Sequence, residues 1–289
     1  MKDQAEKLRE LVSRVETPKI GGARAIAVVS GKGGVGKSSV SVFLAKSLAA
    51  RGKKVLIFDG DLGLANLDVL LGITPESNMQ DVLLGSADMK SIIHPIAPHG
   101  FDILPAASGV PELAEMTDDM RRMLLDRLTP ELSRYDYVLM DTGAGINETV
   151  QTMATMAAAR IVIITPEPTS LTDSYALIKV LFTRHGVRDF LILVNQTENE
   201  KETQQAFARL SMACRKFLQI EPTFLAAVRN DKTLIEAVRQ QQALLAYKPA
   251  CRAAQDIQAV ADNIQKVRQS MTEWMLKNPI LRSLPKTEN

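Results

Sequence analysis

The stretch Ser30-Gly31-Lys32-Gly33-Gly34-Val35-Gly36-Lys37-Ser38 leaves a short apolar run, Ala25 to Val29, and enters a segment whose apolar residues Val42, Leu44, Ala45 and Leu48 have helical spacing. Gly31, Gly36, Lys37 and Ser38 satisfy G-x-x-x-x-G-K-[ST] between a strand and a helix, a loop whose glycines turn consecutive backbone N–H groups towards one point. At a helix N-terminus such a point holds an anion, because unpaired amides and the helix dipole both favour negative charge. The stretch therefore reads as a phosphate cradle, with Gly31, Lys32, Gly33, Gly34, Val35, Gly36, Lys37, Ser38 and Ser39 as candidate contacts. Lys37 is placed to reach the β- and γ-phosphates of a nucleotide, and the Ser38 hydroxyl to ligate Mg²⁺. Lys32, one residue after the first glycine, is a charge that a plain phosphate cradle does not need.

What surrounds the cradle fits one α/β body. A chain of 289 residues with 46% hydrophobic content can bury one large core. Short β-branched or apolar runs at Lys54 to Phe58, Asp102 to Pro105, Tyr137 to Met140, Ile161 to Thr165, Phe190 to Val194 and Thr223 to Val228 alternate with helical patterns. That alternation predicts a doubly wound, mostly parallel sheet with ligands outside the carboxyl ends of its strands. The 35 Lys and Arg against 33 Asp and Glu leave a net charge of +2, too balanced to argue for a specific nucleic-acid partner. Cys214 and Cys251 form no C-x-x-C, so neither a disulfide framework nor a zinc or iron–sulfur site is supported. The charged N-terminus and the lack of any apolar run near the roughly 18 residues of a membrane span predict a cytoplasmic protein. His94, His99 and His185 have no partner spacing and read as surface or satisfied residues.

Two acidic stretches fall at predicted strand ends. Asp59 and Asp61 follow Val55 to Phe58, and Asp141 ends the strand from Tyr137 and precedes Thr142-Gly143-Ala144-Gly145. Phosphoryl transfer to water needs a group that orients the attacking water, and a carboxylate just past a strand end can do this. Either aspartate of the first pair could instead cap the helix expected near Leu64, and Asp141 could be a turn former. Asn195 ends the strand from Phe190, where an amide can both donate to and accept from a base, or simply make a turn.

At both ends the chain carries amphipathic helical patterns. Leu8, Leu11, Val12 and Val15 lie at i, i+3, i+4 and i+7, and Asp3 with Glu6 reads as a capping box. Thr17-Pro18 and Gly21-Gly22 then break the pattern, so this helix is tethered rather than built in. The tail from Ala253 to Lys277 carries a long apolar stripe whose upstream half suits a core-covering helix. Near its end Met271, Trp274 and Met275 lie among Lys266, Arg268 and Lys277, a mixture that also suits a lipid headgroup boundary.

The string GKGGVGKS resembles the deviant Walker A box of the MinD/ParA family of P-loop NTPases, the SIMIBI class, and the likeness extends over about residues 24 to 250. It implies an ATP- and Mg²⁺-dependent homodimer in which Lys32 crosses to the partner's phosphates. It implies further that Asp61, with Asp59 nearby, orients water and stands near Mg²⁺ with Ser38 and Asp141. Gly143 then senses the γ-phosphate, Asn195 contacts adenine and Glu167 faces the partner's nucleotide. Arg229 stands where relatives commonly carry proline, so adenine contacts from that loop are not carried over. The runs from Asp59 to Gly72, Leu104 to Gly109, Asp141 to Ile146 and Glu167 to Lys179 look most like the flagellar-number regulators FlhG, FleN and YlxH.

Asp3-Gln4-Ala5-Glu6-Lys7-Leu8-Arg9 matches that branch's DQAxxLR motif, which implies that Asp3, Gln4, Ala5, Leu8 and Arg9 stimulate an FlhF-type GTPase. The expected organisation is an activator helix and linker over 1–22, an ATPase domain over 23–252 and a C-terminal helix and tail over 253–289. The expected function is a slow ATPase switch for flagellum number or placement, with flagellar C-ring proteins or a transcription regulator as further partners and peripheral membrane contact in the ATP state. A ParA-type DNA- or cargo-positioning ATPase, or a MinD-type division-site regulator, would use the same core.

Overall fold

Alternation within the central strand dictates the layers. In β1 (Arg24–Ser30), Ala25, Ala27 and Val29 enter one hydrophobic cluster while Ile26 and Val28 enter another. A strand buried on both faces needs cover on both, so the sheet lies between two helical layers. The computed structural model describes residues 24–61, 67–97, 99–106, 127–240 and 250–277. The activator motif from Asp3 to Arg9 lies outside the described residues, as do the side chains of Met271, Trp274 and Met275.

The remaining strands are β2 (Val55–Gly60), β3 (His94–Ile96), β4 (Phe101–Leu104), β5 (Tyr137–Ala144), β6 (Ala159–Ile164), β7 (Leu191–Thr197) and β8 (Thr223–Arg229). They form one sheet in the order β3-β4-β2-β5-β1-β6-β7-β8, parallel throughout except for the antiparallel pair β3 and β4. The expected doubly wound, mostly parallel sheet is the one observed. β3 was not foreseen: it is a short edge strand containing Pro95, a residue that the edge of a sheet tolerates because one N–H there needs no partner.

One face carries α1 (Lys37–Ala49), α2 (Leu67–Leu71), α7 (Lys232–Arg239) and α8 (Arg252–Lys277). The other carries α3 (Met79–Leu83), α4 (Glu148–Met156), α5 (Pro168–His185) and α6 (Glu200–Leu218). Starts and stops follow local chemistry. Asn147 and Asn199 cap α4 and α6 by accepting from Val150 N and Glu202 N, while α5 opens on Pro168 and stops at Gly186 with φ 68°. α1 is buried nearly all round because the sheet lies under it and α8 packs against it in the same layer.

In α8, Ala253, Ala254, Ile257, Val260 and Ala261 are fully buried and Ile264 almost so, a stripe facing α1 and β8. Ile257, Val260 and Ile264 each contribute about 1.5–3 kcal/mol on burial and the alanines less, so the upstream half of this helix is part of the core. Arg51, just beyond α1, donates to Asp262 Oδ1 at 2.9 Å and to the Gln258 carbonyl at 3.1 Å, fixing the crossing. Among the described residues no helix is long and apolar enough to cross a membrane. β1 lies between β5 and β6, from which the strand order runs in opposite directions, and this opens a crevice beyond its carboxyl end.

Candidate functional site

The loop that leaves β1 is wedged between α5 and the end of β7. A Cβ on Gly31 would run into the backbone of Asp173 and Ser174 in α5, so only glycine lets the loop lie this close. Gly36 caps α1 with φ 88°, and a Cβ there would come 2.5 Å from Asn195 Nδ2. That Asn195 amide donates to the Val35 carbonyl at 2.7 Å, and Gln196 Nε2 donates to the Gly34 carbonyl at 3.3 Å. The residue expected to read a base thus holds the back of the phosphate loop, with its Oδ1 left to accept.

Inside the loop Lys37 is 9% exposed and donates to Ser30 Oγ at 3.0 Å, while Ser30 Oγ donates to the Lys32 carbonyl at 2.7 Å. Burial lowers the Lys37 pKa, and the charges of Asp141 and Asp61 act against that shift. The parallel register of β2 and β5 sets Asp59 opposite Asp141, both 2% exposed. Burial pushes Asp141 up to about 6, opposed by hydrogen bonds from Ser38 and Ser41 and by the Lys37 charge; Ser41 Oγ lies 2.9 Å from Asp141 Oδ1. Burial likewise pushes Asp59 up to about 7, opposed first by the Asp61 N–H, which donates to its Oδ1 at 3.1 Å, and raised further by Asp141. Leu67 N, the first amide of α2, also donates to Asp59.

Asp61 lies over the start of the Gly-rich turn: a Cβ on Gly143 would be 3.3 Å from Asp61 Oδ1. That turn is tied to β1, since Thr142 Oγ1 donates to the Val28 carbonyl at 3.0 Å and Gly145 N to the Ser30 carbonyl at 3.0 Å. Asp59, Asp61, Asp141, Ser38 and Lys37 are therefore brought together at the ends of β2 and β5 and the start of α1. Three carboxylates against one buried lysine leave surplus negative charge, which fits a divalent cation. Among the described residues no three ligating His, Cys, Asp or Glu side chains converge as an all-protein cage. Mg²⁺ suits such a site, because it binds through one or two protein oxygens and completes its shell with water and phosphate oxygens.

Lys32 points away from its own loop. Its Nζ lies 2.5 Å from Glu167 Oε2 and 3.1 Å from Thr169 Oγ1 at the start of α5, with the Lys32 and Glu167 side chains 38% and 60% exposed. Arg229 explains its departure from proline: its Nε and Nη2 donate to Asp256 of α8 at 2.8 and 2.7 Å, and its own N–H donates to the same carboxylate at 3.0 Å. Asp231 receives Thr233 N and Ala253 N, starting α7 and α8 together. His94 bonds the Ser77 carbonyl and His185 bonds Gln151, as satisfied residues would. His99 stacks on Phe101, but its buried Nδ1 finds no partner among the described residues.

Ser30, Ser41, Thr169 and Asp256 were missed. Ser41 lay within reach of sequence reasoning, being one turn beyond Ser38 on the same face of α1. Asp256 gave no local signal, because its partner Arg229 is distant in the chain.

A family described as an AAA domain matches residues 23–205. The chain is 36% identical over 239 residues to the antiactivator FleN of Pseudomonas aeruginosa, covering 83% of this chain and 85% of that one. It is 34% identical over 270 residues to the flagellum site-determining protein YlxH of Helicobacter pylori, covering 90% of each. Among solved structures, the septum site-determining protein MinD of Pyrococcus horikoshii complexed with Mg-ADP superposes with a TM-score of 0.70 at 25% identity, over 85% of this chain and 97% of that one. With a phosphate loop, paired strand-end aspartates and an early lysine on this sheet, the chain belongs to the MinD/ParA family of P-loop ATPases, in the branch of FleN and YlxH.

Proposed function

We propose that this protein is an ATP-driven switch that sets the number or placement of flagella. The observation that carries this reading is likeness to FleN and YlxH over 83% and 90% of this chain, where septum site-determining MinD of Bacillus subtilis matches at 32% identity over only 61%. The reaction is ATP + H₂O to ADP + phosphate. The P-loop amides and Lys37 hold the β- and γ-phosphates, and Asp61 orients a water in line with the bond from the γ-phosphorus to the leaving ADP oxygen. Attack forms the new P–O bond as the bond to ADP breaks, and Asp61 accepts the water proton. Ser38, with Asp141 and Asp61 acting through water, would hold Mg²⁺, which would supply positive charge to offset that of the phosphates.

In the ATP state two copies meet across their nucleotides, each Lys32 leaving Glu167 for the phosphates opposite. Residues 3–9 then act on an FlhF-type GTPase, and C-ring proteins or a flagellar transcription regulator receive the output. The end of α8, with Trp274 and the flanking Met271 and Met275, rests on the inner membrane surface in that state. The test is to delete the gene in its own bacterium and count flagella by electron microscopy. Wild-type protein should restore number and position, and Lys37→Ala should not. Normal flagella with misplaced septa or lost plasmids would overturn the reading in favour of a division-site or DNA-partition role.

A further inference from the structure

A cleft of about 520 Å³ opens at the other end of the sheet, beside the amino ends of β2, β4 and β5. Val55 and Phe101, the first residues of β2 and β4, form its floor with Ala49, Ile93 and Pro95. Its rim is basic: Lys53, Lys54, Lys90 and Arg134 surround it. Arg134 is committed to Glu131 at 2.9 Å, and the other carboxylate of the lining, Asp102, accepts from Tyr135 Oη at 2.6 Å. No carboxylate is paired with Lys53, Lys54 or Lys90 among the described residues. The lining thus sets four cations against two carboxylates, leaving an apolar trough with a surplus of two positive charges on its rim.

We propose that it docks an acidic peptide segment of a partner protein, with a leucine or phenylalanine seated on the apolar floor. Charge complementarity selects acids, and the floor selects a chain that alternates them with an apolar anchor. A nucleic-acid backbone fits less well, because the apolar floor of Val55, Ile93 and Phe101 gives a phosphate chain no partner, whereas it seats an apolar side chain. β2 and β5 each run roughly 13 Å from their amino ends beside this cleft to Asp59 and Asp141, so the occupant sits at the opposite end of the sheet from the nucleotide. The partner can therefore stay bound through the whole ATP cycle, which separates this surface from any contact made across the nucleotide face.

The test uses the full-length protein and short fluorescein-labelled peptides of glutamate, aspartate, leucine and phenylalanine, read by anisotropy. Wild type should bind them, more weakly as salt rises, and equally with ATP or ADP. Lys53→Glu combined with Lys90→Glu should weaken binding at least about tenfold, since reversing two rim charges turns attraction into repulsion. ATP hydrolysis should be unchanged, and a lysine–leucine peptide should now bind the double variant. That charge-swapped rescue shows the variant to be folded. No binding by wild type, binding indifferent to the reversal, or a duplex DNA oligonucleotide lost on the same reversal while the peptide is ignored would each overturn the proposal.

Discussion

Asp59 carries the clearest single-residue consequence. A buried aspartate whose pKa is raised to about 7 binds its proton more tightly folded than unfolded, where it titrates near 4. The folded protein then holds more protons across that window, so stability without nucleotide falls as pH rises from about 4 to 7 and stays low above it. Asp59→Asn keeps an oxygen for the Asp61 and Leu67 amides while removing the charge. It should raise the stability of the nucleotide-free protein at pH 8 by on the order of 1–3 kcal/mol and flatten the slope between pH 5 and 7, measured by urea unfolding. An unchanged slope would assign the penalty to Asp141. Gly31→Ala should fail differently: the added methyl meets the backbone of α5, so it should lose both stability and ATP binding by calorimetry. That Lys37 and Ser38 meet Asp141 was legible, because a P-loop fixes the first two by spacing and Asp141 ends an apolar strand of the same sheet. What Asn195 does to Val35 was not, because it depends on how closely β7 approaches the loop.

At the scale of elements, the strands of the parallel sheet were read to within a few residues, since each carries a buried apolar run and ends in a polar turn. β3 escaped because three residues with a central proline give no periodic signal. α8 was legible as a helix but divided in use, because an apolar stripe alone does not say whether protein or lipid covers it; burial from Ala253 to Ile264 decides the upstream half. The link between that helix and the loop after β8 was invisible, since it rests on Arg229 and Asp256 meeting across the fold. Asp256→Ala strands Arg229 and frees a backbone N–H, and should cost about 1–2 kcal/mol in urea unfolding, the figure held low by the exposure of Arg229. If the loop helps to hold adenine, the same variant should weaken ATP binding several-fold, with Asp256→Asn between it and wild type.

For the whole molecule the decisive event of the proposed cycle is the passage from monomer to dimer. Lys32 is held by Glu167 and Thr169 of its own chain, on the surface, where an ion pair contributes only about 0.2–1 kcal/mol. A contact that weak is exchanged readily once a second set of phosphates is presented, whereas Lys37 is enclosed beside Ser30 and cannot leave. The two lysines should therefore separate the steps. Lys37→Ala should lose ATP binding in calorimetry, while Lys32→Ala should bind ATP with near wild-type affinity and remain a monomer in analytical ultracentrifugation. Wild type should dimerise with ATP and not with ADP. Glu167→Gln removes the holding charge and leaves Lys32 only the Thr169 hydroxyl, so half-maximal dimerisation should need a few-fold less protein, the gain set by two such ion pairs no longer being broken. If Glu167→Gln raises that concentration instead, the carboxylate works on the partner's side of the interface; if Lys32→Ala still dimerises with ATP, the early lysine does not cross between subunits.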